Sequence, residues 1–244
     1  MINDTPLLFI KSAIKIFISL LPNAYEDIFD TLIDNQSGVA YIPISKAANS
    51  AIKNTVLAKN GGSEYTGLSV HGIAVETISS DLAQYQTRRL RKVKVKLESY
   101  KGFTAVRNPY DRLLSCYTDH IKKKNVMFVR SPVLRRWYGL DNTDLSFKQF
   151  VEIICKIPDS LADRHFRSQY ASIYLNGDCL VDYILKVETL NEDWMKCPIL
   201  SKYKPPAKVN VNKYESANKL YTEELKKKVF LRYIDDFEIF NYPV

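Results

Sequence analysis

Residues 103–117 read FTAVRNPYDRLLSCY. An apolar run of strand type ends at Arg107. Asn108 then Pro109 mark a helix start: the asparagine side chain accepts from first-turn amides, and proline at the first helical position has no amide to leave unpaired. The same order recurs on either side. GVAYIP at 38–43 runs into the helical pattern after residue 48, and DYILKV at 182–187 is followed by another. Repeated strand-then-helix units imply parallel α/β construction. The expected fold class is therefore α/β, a central parallel sheet flanked by helices. Helical periodicity is clearest over 109–124, 146–156 and 222–238.

The chain has 244 residues, 46% of them hydrophobic, with neither an internal repeat nor a long linker. One domain over 1–244 is expected, with 1–35 an N-terminal helical segment preceding the core. Within that segment, PLLFIKSAIKIFISLLP (6–22) carries Lys11 and Lys15 and falls short of the roughly 20 apolar residues that span a bilayer. It also lacks a basic start and a small-residue cleavage site. It reads as a core or surface-docking helix, with peripheral membrane contact as the alternative and no transmembrane span. The 35 Lys and Arg outweigh 27 Asp and Glu, for a formal charge of +8, which raises the expectation of an anionic partner. The densest basic run, RRLRKVKVK at 88–96, is either a solvated face or a track for an acidic polymer. The four cysteines form no C-x-x-C pair and the three histidines lack ligand spacing, so no metal is expected.

A helix that starts directly after a buried strand points unpaired amides into the crevice at the strand's carboxyl end, where its dipole favours an anion. SKAANSAI (45–52) suits such a cradle. Lys46 supplies a point charge; Ala47, Ala48 and Ala51 permit close approach; Asn49 and Ser50 supply side-chain hydrogen bonds. Taken alone, the segment also fits a polar elbow with a solvent-facing lysine. In the second elbow, the Arg107 fork and the Ser115 hydroxyl are placed to share one phosphate. A local Arg107–Asp111 ion pair is the alternative there. The chain has no G-x-x-x-x-G-K-[ST] and no strand ending in a magnesium carboxylate, which disfavours a metal-dependent kinase.

Together the two elbows resemble the cofactor signatures of sulfotransferases that use 3′-phosphoadenosine 5′-phosphosulfate (PAPS). IPISKAANSAIK is similar to the 5′-phosphosulfate loop. FTAVRNPYDRLLSCY is similar to the 3′-phosphate motif R-[DNE]-P-[FY]-[DE]-R-L-x-S, with every defining position from Arg107 to Ser115 filled. Downstream, DRHFRSQYASI resembles the D-x-H-W-x-P-Q segment of carbohydrate sulfotransferases of the chondroitin and dermatan 4-O-sulfotransferase group. VDYILKVETLNED and the C-terminal FLRYIDDFEIFNYPV resemble further segments of that group. The resemblance runs from about residue 38 to the C-terminus. Ser45 and Ser168 stand where the group has proline, and Phe166 where it has tryptophan.

The resemblance implies a P-loop-kinase-like sulfotransferase fold and transfer of a sulfuryl group from PAPS to a carbohydrate hydroxyl, without a metal and without nucleic acid; an anionic glycan is one candidate acceptor. It implies Lys46, Ala47, Ala48, Asn49, Ser50, Ala51, Arg107 and Ser115 as cofactor-binding residues, with Lys46 also acting on the leaving phosphate. Removal of the acceptor proton calls for a base working near neutral pH, which suits histidine. His71, in the polar loop after the first elbow helix, is the first candidate, and His165, between Arg164 and Arg167, is the second. The loop KPPAKVNVNKYES (204–216), with Lys208, Asn210 and Asn212, is expected to close over the nucleotide, and Glu188 to serve structure or helix capping. The expected location is cytoplasmic for a prokaryotic chain, and the Golgi lumen for a eukaryotic one whose anchor lies upstream. A kinase of related fold and a non-enzymatic basic module for glycan or nucleic acid are the competing readings.

Overall fold

The computed structural model of the protein describes residues 29–62, 76, 78–87, 89–119, 136, 138–140, 142, 144–207 and 220–244. A five-stranded sheet runs in the order β3-β1-β2-β4-β7, built from β1 (Phe29–Asp34), β2 (Val39–Tyr41), β3 (Leu82–Thr87), β4 (Lys101–Val106) and β7 (Tyr183–Lys186). The three strands expected from the sequence form its parallel part. Val39 lies opposite Lys101 and Tyr41 opposite Phe103; Phe103 in turn faces Tyr183, and Val106 faces Lys186.

Two strands depart from the expectation. β1 pairs antiparallel with both β2 and β3, so the sheet is mixed rather than wholly parallel. The cause is the short link between β1 and β2. Four turn residues, closed by Gly38 at φ 66°, permit only a hairpin. Residues 29–34, assigned by their sequence to the N-terminal helical segment, are thus a strand; 1–28 lie outside the described residues.

The central strands are apolar on both faces, as a sheet covered by helices requires. Ala40, Phe103, Ala105 and Val106 are fully buried. Tyr41 stacks on Phe103 at 5.0 Å, and Trp194 meets Phe103 edge-on at 5.9 Å. The helices of this layer are α1 (Asn49–Lys59), α2 (Leu90–Leu97), α3 (Pro109–Tyr117) and α4 (Phe147–Ile154). Ser146 begins α4 with a reciprocal cap to Gln149. Next come α5 (Tyr170–Ile173), the small pair β5 (Tyr174–Leu175) and β6 (Asp178–Cys179), and α6 (Leu190–Lys196). The pattern at 222–238 is two helices, α7 (Glu223–Arg232) and α8 (Ile234–Ile239), interrupted at Tyr233, whose hydroxyl donates to the Phe166 carbonyl at 2.7 Å.

Asp34, buried at the end of β1, joins the sheet to its covering layer. It accepts from the Tyr203 hydroxyl at 2.7 Å, from Lys59 at 2.9 Å and Asn60 at 3.1 Å beyond α1, and from the Ser37 amide at 3.0 Å. Burial pushes its carboxyl upward, but the hydrogen bonds from Tyr203, Asn60, Lys59 and Ser37 outweigh that and hold it at about 2.

Candidate active site

β2 and β4 are parallel neighbours, so the chain leaves both at the same edge of the sheet and enters α1 and α3 there. The first elbow, residues 45–48, turns tightly. Lys46 and Ala48 hold φ of 68° and 58°, left-handed values uncommon outside glycine. Ala48 is the N-cap of α1. Among the described residues no side-chain hydrogen bond caps this helix start, and its first turn holds no acidic residue. Among the described residues the buried Asn49 side-chain oxygen has no hydrogen-bond partner. A helix start of this kind keeps its amides and dipole available to an anion. Ala47, fully buried, and Ala48 put no bulky side chain at the elbow. The Lys46 ammonium, largely buried, is ion-paired with Asp119, two residues past the end of α3.

Arg107 ties the second elbow to the first. Its Nη1 donates to the Lys46 carbonyl at 3.4 Å. Its backbone is gripped by Gln169, which accepts from the Arg107 amide and donates to the Arg107 carbonyl, both at 2.8 Å. Gln169 is in turn fixed by Asp236, which accepts from the Gln169 amide at 2.9 Å and the Tyr170 amide at 2.7 Å. Asn108 caps α3 by accepting from the Tyr110 amide, while its own amide donates to Glu188 at 2.8 Å. The other Glu188 oxygen accepts from the Tyr242 hydroxyl at 3.0 Å. Burial lowers the pKa of the Arg107 guanidinium, and Asp111, Glu188 and Tyr242 pull against that. Burial likewise raises Asp111, to about 6, with Arg107 opposing and Glu188 adding to the rise.

Arg112, one turn into α3, donates to three carbonyls. It reaches Ser45 at 3.0 Å, Arg167 at 2.7 Å and Arg164 at 3.0 Å. The guanidinium therefore clasps the first elbow to the segment 159–169. That segment is organised internally as well. Asp159 accepts from the Ser168 amide at 2.9 Å and the Ser168 hydroxyl at 2.5 Å, and pairs with Arg232 at 2.5 Å. The Asp163 carboxylate receives the His165 amide at 2.9 Å and contacts His165 Nδ1 at 2.5 Å. Through Arg112 the backbone beside His165 is joined to the backbone beside Lys46. Burial raises the Cys116 thiol to about 12, and around it Lys46 and Arg112 lower its pKa while Asp163 and Asp119 raise it.

The structure thus brings Lys46, the residues opening α1, Arg107 and the Asp163–His165 pair to one edge of the sheet. Ser115 lies half-buried on the face of α3 one turn beyond Asp111. Glu188 holds a helix-start amide, as its sequence context suggested. His71, Lys208, Asn210 and Asn212 lie outside the described residues. Gln169, Asp236, Asp163 and the clasp of Arg112 escaped the sequence reading. Gln169 and Asp163 sit inside the quoted DRHFRSQ stretch, where the two-residue Asp163–His165 spacing was the available signal. Nothing local marks Asp236, whose partners lie more than sixty residues away. Ser168, at a position where proline was expected, uses an amide that proline lacks.

Comparison with known proteins bears on this arrangement. A family model described as "Sulfotransferase family" matches residues 29–243. Carbohydrate sulfotransferase 12 of Xenopus laevis is 25% identical over 252 residues, covering 87% of this chain and 60% of that protein. Carbohydrate sulfotransferase 11 of Rattus norvegicus and of Mus musculus are each 24% identical over 188 residues, covering 71% of this chain. The chain spans 60% and 52% of the lengths of these relatives. No solved structure matches significantly.

Proposed function

This chain belongs to the sulfotransferase family, and from that membership we propose that it transfers a sulfuryl group from PAPS to a hydroxyl of a carbohydrate. The observation that carries the reading is the Arg107 Nη1 contact with the Lys46 carbonyl at 3.4 Å, which joins the two elbows. A donor with phosphates at both ends of a nucleoside needs two cation-bearing anion sites held at a fixed relation. The parallel β2–α1 and β4–α3 units opening on one edge support a P-loop-kinase-like architecture. The family match over 29–243 supports reading the chain as one domain. The printed names of the relatives support a carbohydrate acceptor.

In this reading the α1 amides, Asn49 and Ser50 hold the 5′ end of the donor, and Arg107 with Ser115 holds the 3′-phosphate. Bound, the donor supplies an activated sulfuryl group. Lys46, whose ammonium is paired with Asp119, would offset the negative charge gathering on the leaving 5′-phosphate. His165 takes the acceptor proton on Nε2, because Asp163 engages Nδ1 and orients the ring. The proposal thus takes the second histidine candidate as the base.

Calorimetry with 3′,5′-adenosine bisphosphate tests the donor site, and absence of binding to the wild-type chain sinks the proposal. For the base, His165→Ala should keep nucleotide binding within about threefold while turnover falls by the 10²–10⁴ typical of a lost general base. Full turnover by His165→Ala would move the role to another residue, His71 first.

A further inference from the structure

The basic helix α2 takes no part in the crevice described above. Tyr100 immediately precedes β4 and Arg107 immediately follows it, so α2 ends at the opposite pole of the sheet, about 20 Å from the elbows at 3.3 Å per strand residue. A groove of ≈ 380 Å³ opens there, lined by Arg91, Lys92, Lys96, Tyr85, Tyr100 and Val95, and its described lining contains no carboxylate. The groove walls are anchored to the sheet. Val93 and Leu97 bury the opposite face of α2, and the Tyr100 hydroxyl donates to Asn35 at 2.8 Å. Lys96 stands over the Tyr100 ring at 5.6 Å. Lys94, by contrast, is paired with Asp178 at 2.8 Å and does not line the groove.

We propose that this groove is a distal subsite for an anionic polysaccharide. Three cations at 91, 92 and 96 span more than one helical turn, which suits charges repeated along a linear polymer better than one compact anion. Tyr85 and Tyr100 in the lining add aromatic surface of the kind that packs against the C–H faces of sugar rings. An open groove lets a chain pass through where a closed pocket would require an end. The proposal rests on the carbohydrate-acceptor reading for its physiological ligand: the polymer bound here would be the same molecule whose hydroxyl enters the crevice. The groove would then hold long acceptors and discriminate against short ones.

Heparin is the probe, titrated by fluorescence anisotropy against the full chain at several salt concentrations. The Arg91→Glu/Lys96→Glu double variant should bind at least tenfold more weakly, and the slope of log K against log salt should fall by about two, one for each cation removed. Lys94→Glu, which changes charge on the same helix outside the groove, should alter affinity less than twofold. Retention of wild-type affinity by the double variant overturns the proposal, as does an equal loss in Lys94→Glu. Tighter wild-type binding to single-stranded poly(dT) than to heparin overturns it in favour of a nucleic-acid surface. Adenosine bisphosphate binding by the same variants should be unchanged. Failure of the transfer reading would therefore show in the nucleotide titration of the wild-type chain, and failure of the groove in the heparin titrations.

Discussion

Arg107 illustrates how a residue identified by motif acquires its chemistry from neighbours that the motif does not contain. Its side chain is buried against the Lys46 carbonyl, and Gln169 fixes its backbone from both sides. Arg107→Ala should weaken adenosine bisphosphate binding about 10- to 100-fold by calorimetry, the range of one to two charge-assisted hydrogen bonds. Asp111 beside it gives a test by pH. Its folded-state pKa of about 6 lies above the ordinary 3.8, so the folded state binds the extra proton. The contribution of Asp111 to stability therefore falls as pH rises from about 4 to about 6 and is level above that. Asp236, raised by burial to about 6 against Arg112 and its own hydrogen bonds, acts with the same sign. Asp111→Asn should flatten, without abolishing, that slope in urea midpoints measured across the window. The two strand-to-helix junctions that carry Lys46 and Arg107 were legible because such a junction leaves a local trace. Gln169 and Asp236 were not, because a buried hydrogen-bond chain between distant segments has no period.

Among the elements, α3 does the most positioning. Asn108 caps it, Pro109 starts it, and Arg112 projects from its first turn to three carbonyls on two other segments. A lysine cannot reproduce that planar fork. Arg112→Lys should lower the melting temperature and weaken nucleotide binding together, since the first elbow loses its tether through Ser45. An unchanged affinity in a destabilised variant would show that the elbow keeps its left-handed turns unaided. The strand-then-helix units were readable from the alternation of apolar runs and start signals, whereas β1 and β3 were not. FDTLID and LAQYQT are short and partly polar, and they become strands by pairing with each other across the sequence.

For the whole molecule, Asp34 links the antiparallel edge to α1 and to Tyr203 in one buried cluster. Its pKa of about 2 is below the ordinary 3.8, so it contributes stability above about pH 4 that is lost as pH falls towards 2. The shift corresponds to about 2 kcal/mol. Asp34→Asn should cost a comparable amount at pH 7 in denaturant unfolding, and the gap should close on acidification below pH 3. Net charge raised the expectation of an anionic partner without indicating where one would bind; only the fold separates the cationic elbows at one pole from a cationic groove at the other.

The clasp of Arg112 has a kinetic consequence. It joins residues 52, 55 and 67 positions apart, and Gln169 meets Asp236 across another 67. Contacts between such distant positions close large loops before any favourable energy is gained, which slows a chain in proportion to its mean contact separation. The crevice should therefore be among the last parts to assemble. In refolding from urea, the signal of a fluorescent adenosine bisphosphate should lag behind the far-UV circular dichroism of the helices.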